Sequence, residues 1–380
     1  MTLRVASRLQ HLQQSFLRRF MAEAPPGALN LGLGQSGSPV PEVLRARLHE
    51  VADRADYGPN AGHLALRQAI ASEQGVSPDE VVVTCGVQEA LALVMLGLVE
   101  AGDEVLVPDP GFSVYRSLAE IAGACVRTYA LREEDGFRPT WEGLSRSLSA
   151  QTRLVVLVSP GNPTGAVATP AAWERLLGEL HSRDIAVLSD EIYLDLCGVA
   201  TPHPSARAHH PEALIAGGLS KRDSLAGWRL GWLIAPTAVI PPLVALHQHL
   251  VTSASTLVQD VALAAFTPEA RATRVALQER LVGQRARAVE VLTEAGAQVL
   301  AGEGAFYLLV RWPGALDDLA LARFLLHEAG VITIPGRAFG EGARGLLRIS
   351  YALPQPDLDR ALAALANALP AYREAAERDA

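Results

Sequence analysis

The sequence predicts an α/β fold in which a large domain, built on a mainly parallel sheet flanked by helices, is joined to a smaller α+β domain. Between residues 80 and 235, short apolar runs alternate with segments of helical periodicity. After residue 236 the pattern becomes helical and then mixed. Because a single hydrophobic core rarely serves more than about 250–300 residues, we expect a chain of 380 residues to form two domains.

The large domain is predicted from apolar runs that are separated by helical segments. Strands spaced by helices are βαβ units, and nearly continuous apolar strands indicate a parallel sheet that is covered on both faces. The predicted helices are residues 88–99, 112–122 and 169–183. The predicted strands are VVVTC (81–85), EVLVP (104–108), RLVVLVS (153–159), IAVLSD (185–190), ALIAG (213–217) and RLGWLIA (229–235).

The chain beyond the large sheet predicts helices and a second, smaller layer. Pro241 and Pro242 mark the start of a helix, and residues 268–295 predict a long helix that connects the domains. The strand-like stretches QVL, AFYLLV, VITI and LLRIS surround a predicted helix at 317–329. A last helix is predicted at 356–378.

The N-terminal segment is too short to fold alone, so we expect it to pack on the second layer. Polar residues interrupt its apolar positions, which is unlike a secretory signal and favours a packed amphipathic helix over a mitochondrial presequence. We therefore assign residues 1–47 and 286–380 to the small domain and residues 48–285 to the large domain.

The composition of the chain favours small-molecule chemistry. Hydrophobic residues make up 49% and charged residues 19%, as in globular proteins. The net charge of −8 argues against binding to nucleic acid or to an anionic membrane, and no stretch is long and apolar enough to span a membrane. Cys85, Cys125 and Cys197 are widely spaced and form no metal-binding pattern, so we expect a cytoplasmic protein without a metal site.

A lysine follows the strand predicted at 213–217, in the segment GGLSK that ends at Lys221. The carboxyl edge of a parallel sheet is where open α/β folds bind ligands. Lysine is also the side chain that forms a Schiff base with a carbonyl cofactor. A loop lysine taken alone is more often a solvated surface residue, so the neighbouring segments have to decide its role.

An aspartate, Asp190, ends the apolar strand predicted at 185–190. A carboxylate at this buried edge is costly unless it is paired, and a protonated pyridine nitrogen would be such a partner. This segment alone leaves an N-cap or a solvated loop acid equally open.

Turn residues follow the strand predicted at 153–159, in the segment SPGNPTG (159–165). A segment of this composition predicts a tight turn. Because the turn lies at the same edge of the sheet, the Asn162 amide could reach a ring oxygen of a cofactor. The bond between Asn162 and Pro163 is a candidate cis peptide.

A glycine turn, TCGVQ, joins the first predicted strand to a helix. The backbone N–H groups of Gly86, Val87 and Gln88 would lie at the positive end of the helix dipole, which suits a phosphate group. Ser220 and Arg229 could add a hydroxyl and a guanidinium to the same phosphate. The turn is a weak indication by itself because many strand-to-helix turns contain glycine.

The order and spacing of these four segments resemble the class I/II aminotransferases, which belong to the fold type I superfamily of pyridoxal phosphate (PLP) enzymes. The resemblance runs from about Leu29 to Tyr351. Its most specific parts are SPGNPTG, SDEIY and an SK followed by GWRLGW, in which the family's interval separates Lys221 from Arg229. The resemblance implies the fold of this superfamily, PLP as the cofactor and Lys221 as the Schiff-base lysine.

Further positions take roles from the same resemblance. Phe112, in PDPGFSVY, occupies the place of the ring that stacks on the pyridine, although an aromatic residue at a helix start is more often part of a core. Tyr193 would donate to the ring oxygen beside Asn162, and Asp190 would keep the ring nitrogen protonated. Tyr57 matches a tyrosine that reaches the phosphate of the neighbouring subunit, which implies a homodimer with shared sites.

The resemblance also indicates how the substrate would be bound. Arg348, in LLRISYA, matches the arginine that binds the substrate α-carboxylate, a task that suits a planar guanidinium. Gly34, in LNLGLGQ, and Asn162 fit the contacts beside that carboxylate. The chain departs from the family pattern at Gln35, Ser36 and Ser38, which replace an acidic residue, a proline and an aromatic residue, and at Gly218, where many relatives have Ser or Thr.

The resemblance implies an aminotransferase that moves an amino group between an L-amino acid and a 2-oxo acid by a ping-pong mechanism. A PLP-dependent C–S lyase would use the same lysine, aspartate and arginine, so the motifs leave it as an alternative. A non-catalytic PLP-binding regulator is more remote, because only about 30 residues precede the first family-like motif. A dinucleotide-dependent dehydrogenase would need a G-x-G-x-x-G turn. Neutral or aromatic donors are favoured, since no basic residue is identified for a second carboxylate.

Overall fold

The computed structural model describes residues 3–10, 12, 16–197, 203–314 and 317–378. Its helices of four or more residues, 3-10 helices aside, are α1 (Phe16–Ala22), α2 (Glu42–Glu50), α3 (Leu64–Gln74), α4 (Val87–Leu98), α5 (Val114–Ala122), α6 (Trp141–Ser145), α7 (Pro170–Ser182), α8 (Leu219–Arg222), α9 (Ile240–Val251), α10 (Thr256–Ala262), α11 (Pro268–Glu294), α12 (Asp318–Glu328) and α13 (Gln355–Arg378). Its strands are β1 (Leu29–Asn30), β2 (Val81–Thr84), β3 (Glu104–Asp109), β4 (Cys125–Ala130), β5 (Thr152–Val158), β6 (Ala186–Asp190), β7 (Leu214–Gly218), β8 (Gly231–Ile234), β9 (Gln298–Ala301), β10 (Tyr307–Arg311), β11 (Val331–Ile332), β12 (Ile334–Pro335) and β13 (Leu346–Ser350).

The largest sheet in the described chain has seven strands in the order β2-β8-β7-β6-β5-β3-β4. Neighbouring strands are parallel except where β8 pairs with β2 and β7, and those two pairs are antiparallel. The predicted mainly parallel sheet is therefore confirmed. Strands such as β2 and β7 are buried along their whole length, which explains why the sequence shows them as continuous apolar runs.

Helices cover both faces of this sheet. Alternate residues of β5 pack into two different hydrophobic clusters, since successive side chains of a strand point to opposite faces. Val155 lies in the cluster that contains Trp173 of α7, and Val156 lies in the cluster that contains Leu91 and Met95 of α4. The sheet thus lies between two sets of helices, as expected for βαβ units.

The strand β4 was not predicted from the sequence. It forms an edge of the large sheet, where it pairs only with β3. Its residues alternate between exposed and more buried positions, with Arg127 exposed and Thr128 half-buried. An edge strand of this kind lacks the continuous apolar run by which the inner strands were identified. The helix predicted at 112–122 begins only at Val114, so Phe112 precedes it.

A second layer follows the large sheet. It contains a four-stranded antiparallel sheet in the order β12-β13-β10-β9, with α12 and α13 packed beside it. The N-terminal segment joins this layer: β1 pairs in parallel with β11, and the Ser350 N–H donates to the Leu31 carbonyl at 2.7 Å. The expected packing of the N-terminal segment on the C-terminal layer is therefore observed.

The predicted amphipathic N-terminal helix is described only in part. Residues 1, 2, 11 and 13–15 lie outside the described residues, and the helix α1 follows them. Phe20 of α1 is buried in the core of the second layer, where it stacks with Phe16 at 6.0 Å between ring centroids. None of the helices in the described chain is both long and apolar enough to cross a lipid bilayer.

A buried cluster of charged side chains connects α8 with the neighbouring helices α3 and α11. Arg222 of α8 forms ion pairs with Glu73 of α3, with Asp195 and with Asp223. Arg274 of α11 pairs with the same Glu73 and Asp223, the latter at 2.7 Å. Because Asp223 is almost completely buried between two arginines, removing its carboxylate would leave uncompensated buried charge.

Replacing Asp223 with Ala should therefore lower the free energy of unfolding of the protein by about 3–5 kcal/mol. Urea denaturation followed by circular dichroism measures this change. Glu290→Ala is the matched control, because Glu290 belongs to a solvent-exposed pair with Arg287 whose loss should hardly move the curve. Equal effects of the two substitutions would contradict the importance of the buried cluster.

Candidate active site

Side chains from several segments meet at the carboxyl edge of the large sheet. Asp190 is the last residue of β6, Lys221 lies in α8 directly after β7, and Asn162 lies in the turn after β5. The Lys221 amine donates a hydrogen bond to the Gly34 carbonyl at 2.6 Å, so the N-terminal segment closes over this edge. The structure thus brings together predicted site residues that lie far apart in the sequence.

The Lys221 amine lies among charged groups of both signs. Its pKa is lowered to about 8, mainly by burial and also by the positive charges of Arg348 and Arg229, while Asp190 acts in the opposite direction. Such an amine is a better nucleophile and base near neutral pH than an exposed lysine. This environment separates Lys221 from the solvated surface lysine that was its alternative.

The composition of the chain contains a stronger indication of Lys221 than the motif analysis used. Lys and Arg together number 33, and Lys221 is the only lysine among them, which leaves 32 arginines. Arginine can replace lysine wherever only a positive charge is needed, but its guanidinium does not serve as a Schiff-base amine. The one lysine of the chain therefore lies at a position where a carbonyl cofactor would need a primary amine.

Asp190 is a buried carboxylate held by two donors. Its Oδ2 accepts from the Tyr115 hydroxyl at 2.8 Å, and its Oδ1 accepts from the Ile192 N–H at 3.2 Å. The pKa of Asp190 is raised to about 6, because the effect of burial outweighs the opposing effects of the two hydrogen bonds and Lys221. The carboxylate is therefore neither a solvated loop acid nor an N-cap of a long helix, and it is poised to pair with a cation.

The glycine turn after β2 forms a cradle for an anion. Gly86 has φ of +86°, and a Cβ at this position would lie 2.6 Å from a guanidinium nitrogen of Arg229. Within the described chain no side chain caps the first turn of α4, so the N–H groups of Val87 and Gln88 are available to a ligand. Arg229 donates to the Ala226 carbonyl at 2.8 Å and forms no ion pair among the described residues. Its charge is free to bind a phosphate.

Ser220 and Phe112 flank these groups. Ser220 is buried within α8, immediately before Lys221. Phe112 is half-buried, and its ring meets that of Tyr115 edge-on with 5.7 Å between the centroids. Tyr115 thus contacts both the Phe112 ring and the carboxylate of Asp190, which would hold a pyridine nitrogen.

Arg348 is buried and held from several sides. It donates to the Asn162 Oδ1 at 2.8 Å and to the Gly32 carbonyl. Its guanidinium lies 4.3 Å from the ring centroid of Tyr307 and 4.6 Å from that of Phe339. Its Nε is buried without a hydrogen-bond partner in the described chain, so the side chain has capacity for a further acceptor. The predicted cis bond between Asn162 and Pro163 is present.

Tyr193 lies in the same buried group. Its hydroxyl is 2.8 Å from the hydroxyl of Tyr307, and its ring packs edge-on against Phe306. By contrast, Tyr57 is 88% exposed on the surface of the chain. Of the predicted site residues, Tyr57 is the one whose proposed partner would have to come from another molecule.

Two residues that the sequence analysis missed contact this group. Tyr115 lies one helical turn after Phe112 in PDPGFSVY, and the spacing of three could have indicated that both face the same side. Tyr307 lies in β10, within a stretch of uniformly apolar residues that contains no local indication of a site. Only the pairing of β10 with β13 brings it to Arg348.

The residues at this edge fit the groups of PLP. Arg229 and the open turn at Gly86 suit a phosphate, and the buried Asp190 carboxylate suits a protonated pyridine nitrogen. Lys221 supplies the amine that a carbonyl cofactor needs. Phosphate site, ring acid and amine thus occur together on one edge of the sheet.

Known proteins resemble the chain along nearly its whole length. The family described as aminotransferase class I and II matches residues 27–365. The aspartate/prephenate aminotransferase of Thermus thermophilus is 33% identical over 350 residues, 89% of this chain and 90% of that protein. The aromatic-amino-acid aminotransferase 2 of Thermococcus litoralis is 28% identical over 374 residues, 94% of this chain and 96% of that protein. A solved structure of Thermus thermophilus aspartate aminotransferase with maleate is 31% identical, with a TM-score of 0.91 over 97% of this chain and 100% of that one.

Replacing Tyr115 with Phe should raise the pKa of Asp190, because the hydroxyl that stabilises the ionised carboxylate is lost. The ionised form is the one that would pair with a protonated ring nitrogen. In the wild type, the affinity of the apoenzyme for PLP should fall as the pH decreases through about 6. In the variant, the same fall should occur at a higher pH. At that pH the loss should be about threefold to tenfold.

Fluorescence titration of the apoenzyme with PLP at several pH values measures this shift. Tyr129→Phe is the matched control, since it removes a buried hydroxyl that donates to the Val156 carbonyl at 2.8 Å. Superimposable pH curves for Tyr115→Phe and the wild type would show that Tyr115 does not act on Asp190.

Proposed function

Because the chain belongs to the class I and II aminotransferases, we propose that Lys221 is the residue that binds PLP covalently and moves the substrate proton. The protein is a PLP-dependent aminotransferase that acts on amino acids and 2-oxo acids. The observation that carries the assignment is that the only lysine of the chain lies at the carboxyl edge of the sheet, bonded to Gly34. The roles of the other residues follow from their positions at the same edge of the sheet and from their contacts with one another.

Bound PLP supplies an aldehyde carbon and an electron-withdrawing ring that spreads the charge left when the α-proton is removed. Asp190 would hold the ring nitrogen in its protonated state, and its two donors, Tyr115 and the Ile192 N–H, favour the ionised carboxylate that this task needs. Tyr193 and the Asn162 amide would bind the ring oxygen. Gly86, Val87, Gln88, Ser220 and Arg229 would hold the phosphate, and Phe112 would cover the ring.

Lys221 moves a proton between the substrate α-carbon and the cofactor's aldehyde carbon. Its Nζ acts first as a general base and then as a general acid, which a pKa lowered to about 8 favours near neutral pH. Arg348 binds the α-carboxylate, with Gly34 and Asn162 beside it. The Arg348 contact to Asn162 at 2.8 Å supports this arrangement, because it links the carboxylate site to the turn next to the ring. A ping-pong reaction with two half-reactions follows.

The favoured amino donors are neutral or aromatic amino acids. The rings of Tyr307 and Phe339 lie against Arg348, and the rings of Tyr193 and Phe306 lie nearby. Arg337, another cation of this region, is already paired with Asp317 and Asp318. The apolar surroundings of Arg348 suit an uncharged side chain. Relatives of both kinds occur, one named for aspartate and prephenate and one for aromatic amino acids.

The active enzyme is a homodimer in which Tyr57 reaches the phosphate site of the partner. The segments that carry Tyr57 and the end of α9 are joined, since Asn60 donates to the Thr252 carbonyl at 2.8 Å. Leu250 and Val251 are 48% and 41% exposed beside this contact. An exposed tyrosine next to exposed aliphatic side chains favours a protein interface.

Free Cys85, Cys125 and Cys197 support a cytoplasmic location.

Replacing Lys221 with Ala should abolish turnover and the visible absorption band of the bound cofactor, with a loss in rate of about a thousandfold or more. Lys221→Arg is the matched control: it keeps the positive charge and should be just as inactive. Circular dichroism of both variants should match the wild type. Turnover close to that of the wild type in either variant would contradict the assignment.

The attachment point can be mapped directly in the same protein. Borohydride reduction of the PLP-loaded enzyme, followed by tryptic digestion, should place the label on the peptide 208–222, because the labelled Lys221 resists cleavage between Arg207 and Arg222. A label at the N-terminal amine alone would exclude Lys221 as the attachment residue.

Mixing the enzyme with single amino acids should distinguish the donors. Conversion of the visible spectrum to that of the pyridoxamine form is expected with phenylalanine, tyrosine or methionine, with kcat/KM about tenfold or more above that for aspartate. A preference for aspartate would contradict the proposed specificity. Release of pyruvate and ammonia from a cysteine thioether without an oxo-acid acceptor would instead indicate a C–S lyase.

A further inference from the structure

Tyr307 contacts three of the residues to which the proposed function gives a role. Its ring lies against Arg348, its hydroxyl lies 2.8 Å from that of Tyr193, and it fills the space above Gly34. It is almost completely buried. The sheet places it there: Tyr307 of β10 pairs with Ser350 of β13, so that Arg348 is its diagonal neighbour on the same face.

The contact with Gly34 explains why a glycine occupies this position. A Cβ on Gly34 would lie 2.1 Å from the Tyr307 hydroxyl oxygen, a distance at which the two atoms would overlap. The backbone of Gly34 can lie this close to Tyr307 only because no side chain is present, and its carbonyl accepts a hydrogen bond from the Lys221 amine at 2.6 Å. The Tyr307 hydroxyl therefore occupies a space that the sequence keeps open.

The contact with Arg348 fixes the direction of the guanidinium. Tyr307 and Phe339 lie 4.3 Å and 4.6 Å from it, measured from the ring centroids to the guanidinium carbon. Aromatic rings attract a cation and restrict its rotation. The ring of Tyr307 thus helps to aim the guanidinium at the place of the substrate carboxylate.

The contact with Tyr193 involves two phenol hydroxyls, each of which carries a single proton. If Tyr193 donates its proton towards the ring oxygen of the cofactor, the hydroxyl of Tyr307 has to be the donor in the Tyr193–Tyr307 bond. A chain of this kind strengthens each hydrogen bond within it. Arg348 of β13, Asp190 of β6 and Tyr115 of α5 are further charged or titratable groups that interact with Tyr193.

We propose that Tyr307 is a positioning residue with two separable parts: its ring orients Arg348 for the substrate carboxylate, and its hydroxyl orients the proton of Tyr193 towards the cofactor. The inference rests on the proposed roles of Arg348 and Tyr193. It adds a residue of the second layer that links substrate binding with the electronic state of the cofactor.

Two substitutions separate the parts. Tyr307→Phe keeps the ring and removes the hydroxyl, so KM for the amino donor should change by less than about twofold, while kcat falls about twofold to tenfold. The pH midpoint of the visible absorption band should rise, because a weaker Tyr193 donor stabilises the anionic ring oxygen less. Tyr307→Leu also removes the ring and should raise KM by a further factor of about three to thirty.

A double-mutant cycle tests whether the hydroxyl acts through Tyr193. In the Tyr193→Phe background, Tyr307→Phe should no longer move the pH midpoint of the absorption band. Tyr351→Phe is the matched control, since Tyr351 is buried in the same core and its hydroxyl donates only to the Ala305 carbonyl at 3.3 Å. This control should leave KM, kcat and the pH midpoint at wild-type values.

Three outcomes would overturn the inference. The pH midpoint of Tyr307→Phe could equal that of the wild type, or Tyr307→Phe could shift this midpoint equally with and without the Tyr193 hydroxyl. The third outcome is a folded Tyr307→Leu variant whose KM equals that of Tyr307→Phe. Failure of the proposed function is recognised separately, because the wild-type protein would then show no visible band that depends on Lys221. Circular dichroism confirms that each variant is folded before it is compared.

Discussion

The constraint on which the site depends is the buried position of one amine, that of Lys221. This amine lies at a sheet edge together with positively charged side chains. Arg229 and Arg348 both act on this amine, and a single carboxylate, Asp190, opposes them. Burial and like charge together favour the neutral form of the amine. The arrangement concentrates positive charge where an anionic cofactor and an anionic substrate would bind, so the bound ligands themselves would balance the site.

The two layers of the protein divide this task. The large sheet ends in turns and short helices that present Lys221, Asp190 and the glycine turn at one edge, as parallel sheets do for many ligands. The second layer contributes Arg348 and Tyr307 from two paired strands. The N-terminal segment completes the site, because the carbonyls of its glycines accept hydrogen bonds from both Lys221 and Arg348.

The short helix that carries Lys221 is held by charges behind it. Arg222, the next residue, pairs with carboxylates of three segments, and its guanidinium also packs on Trp232 and Phe266. A helix of four residues cannot be stable by itself. The buried pairs therefore support the precision of the site as well as the stability of the fold, since a displaced α8 would displace the amine.

The sequence by itself determined the parallel sheet, because its inner strands are buried on both faces and therefore appear as apolar runs. It also determined the residues that lie in local motifs at the sheet edge, such as Asn162 and Lys221. It also contained the unique lysine. Only the tertiary structure decided the edge strand β4, whose single covered face blurs the pattern, and the contacts of Tyr307. Tyr307 and Arg348 are 41 residues apart, 348 minus 307, and strand pairing rather than local sequence joins them.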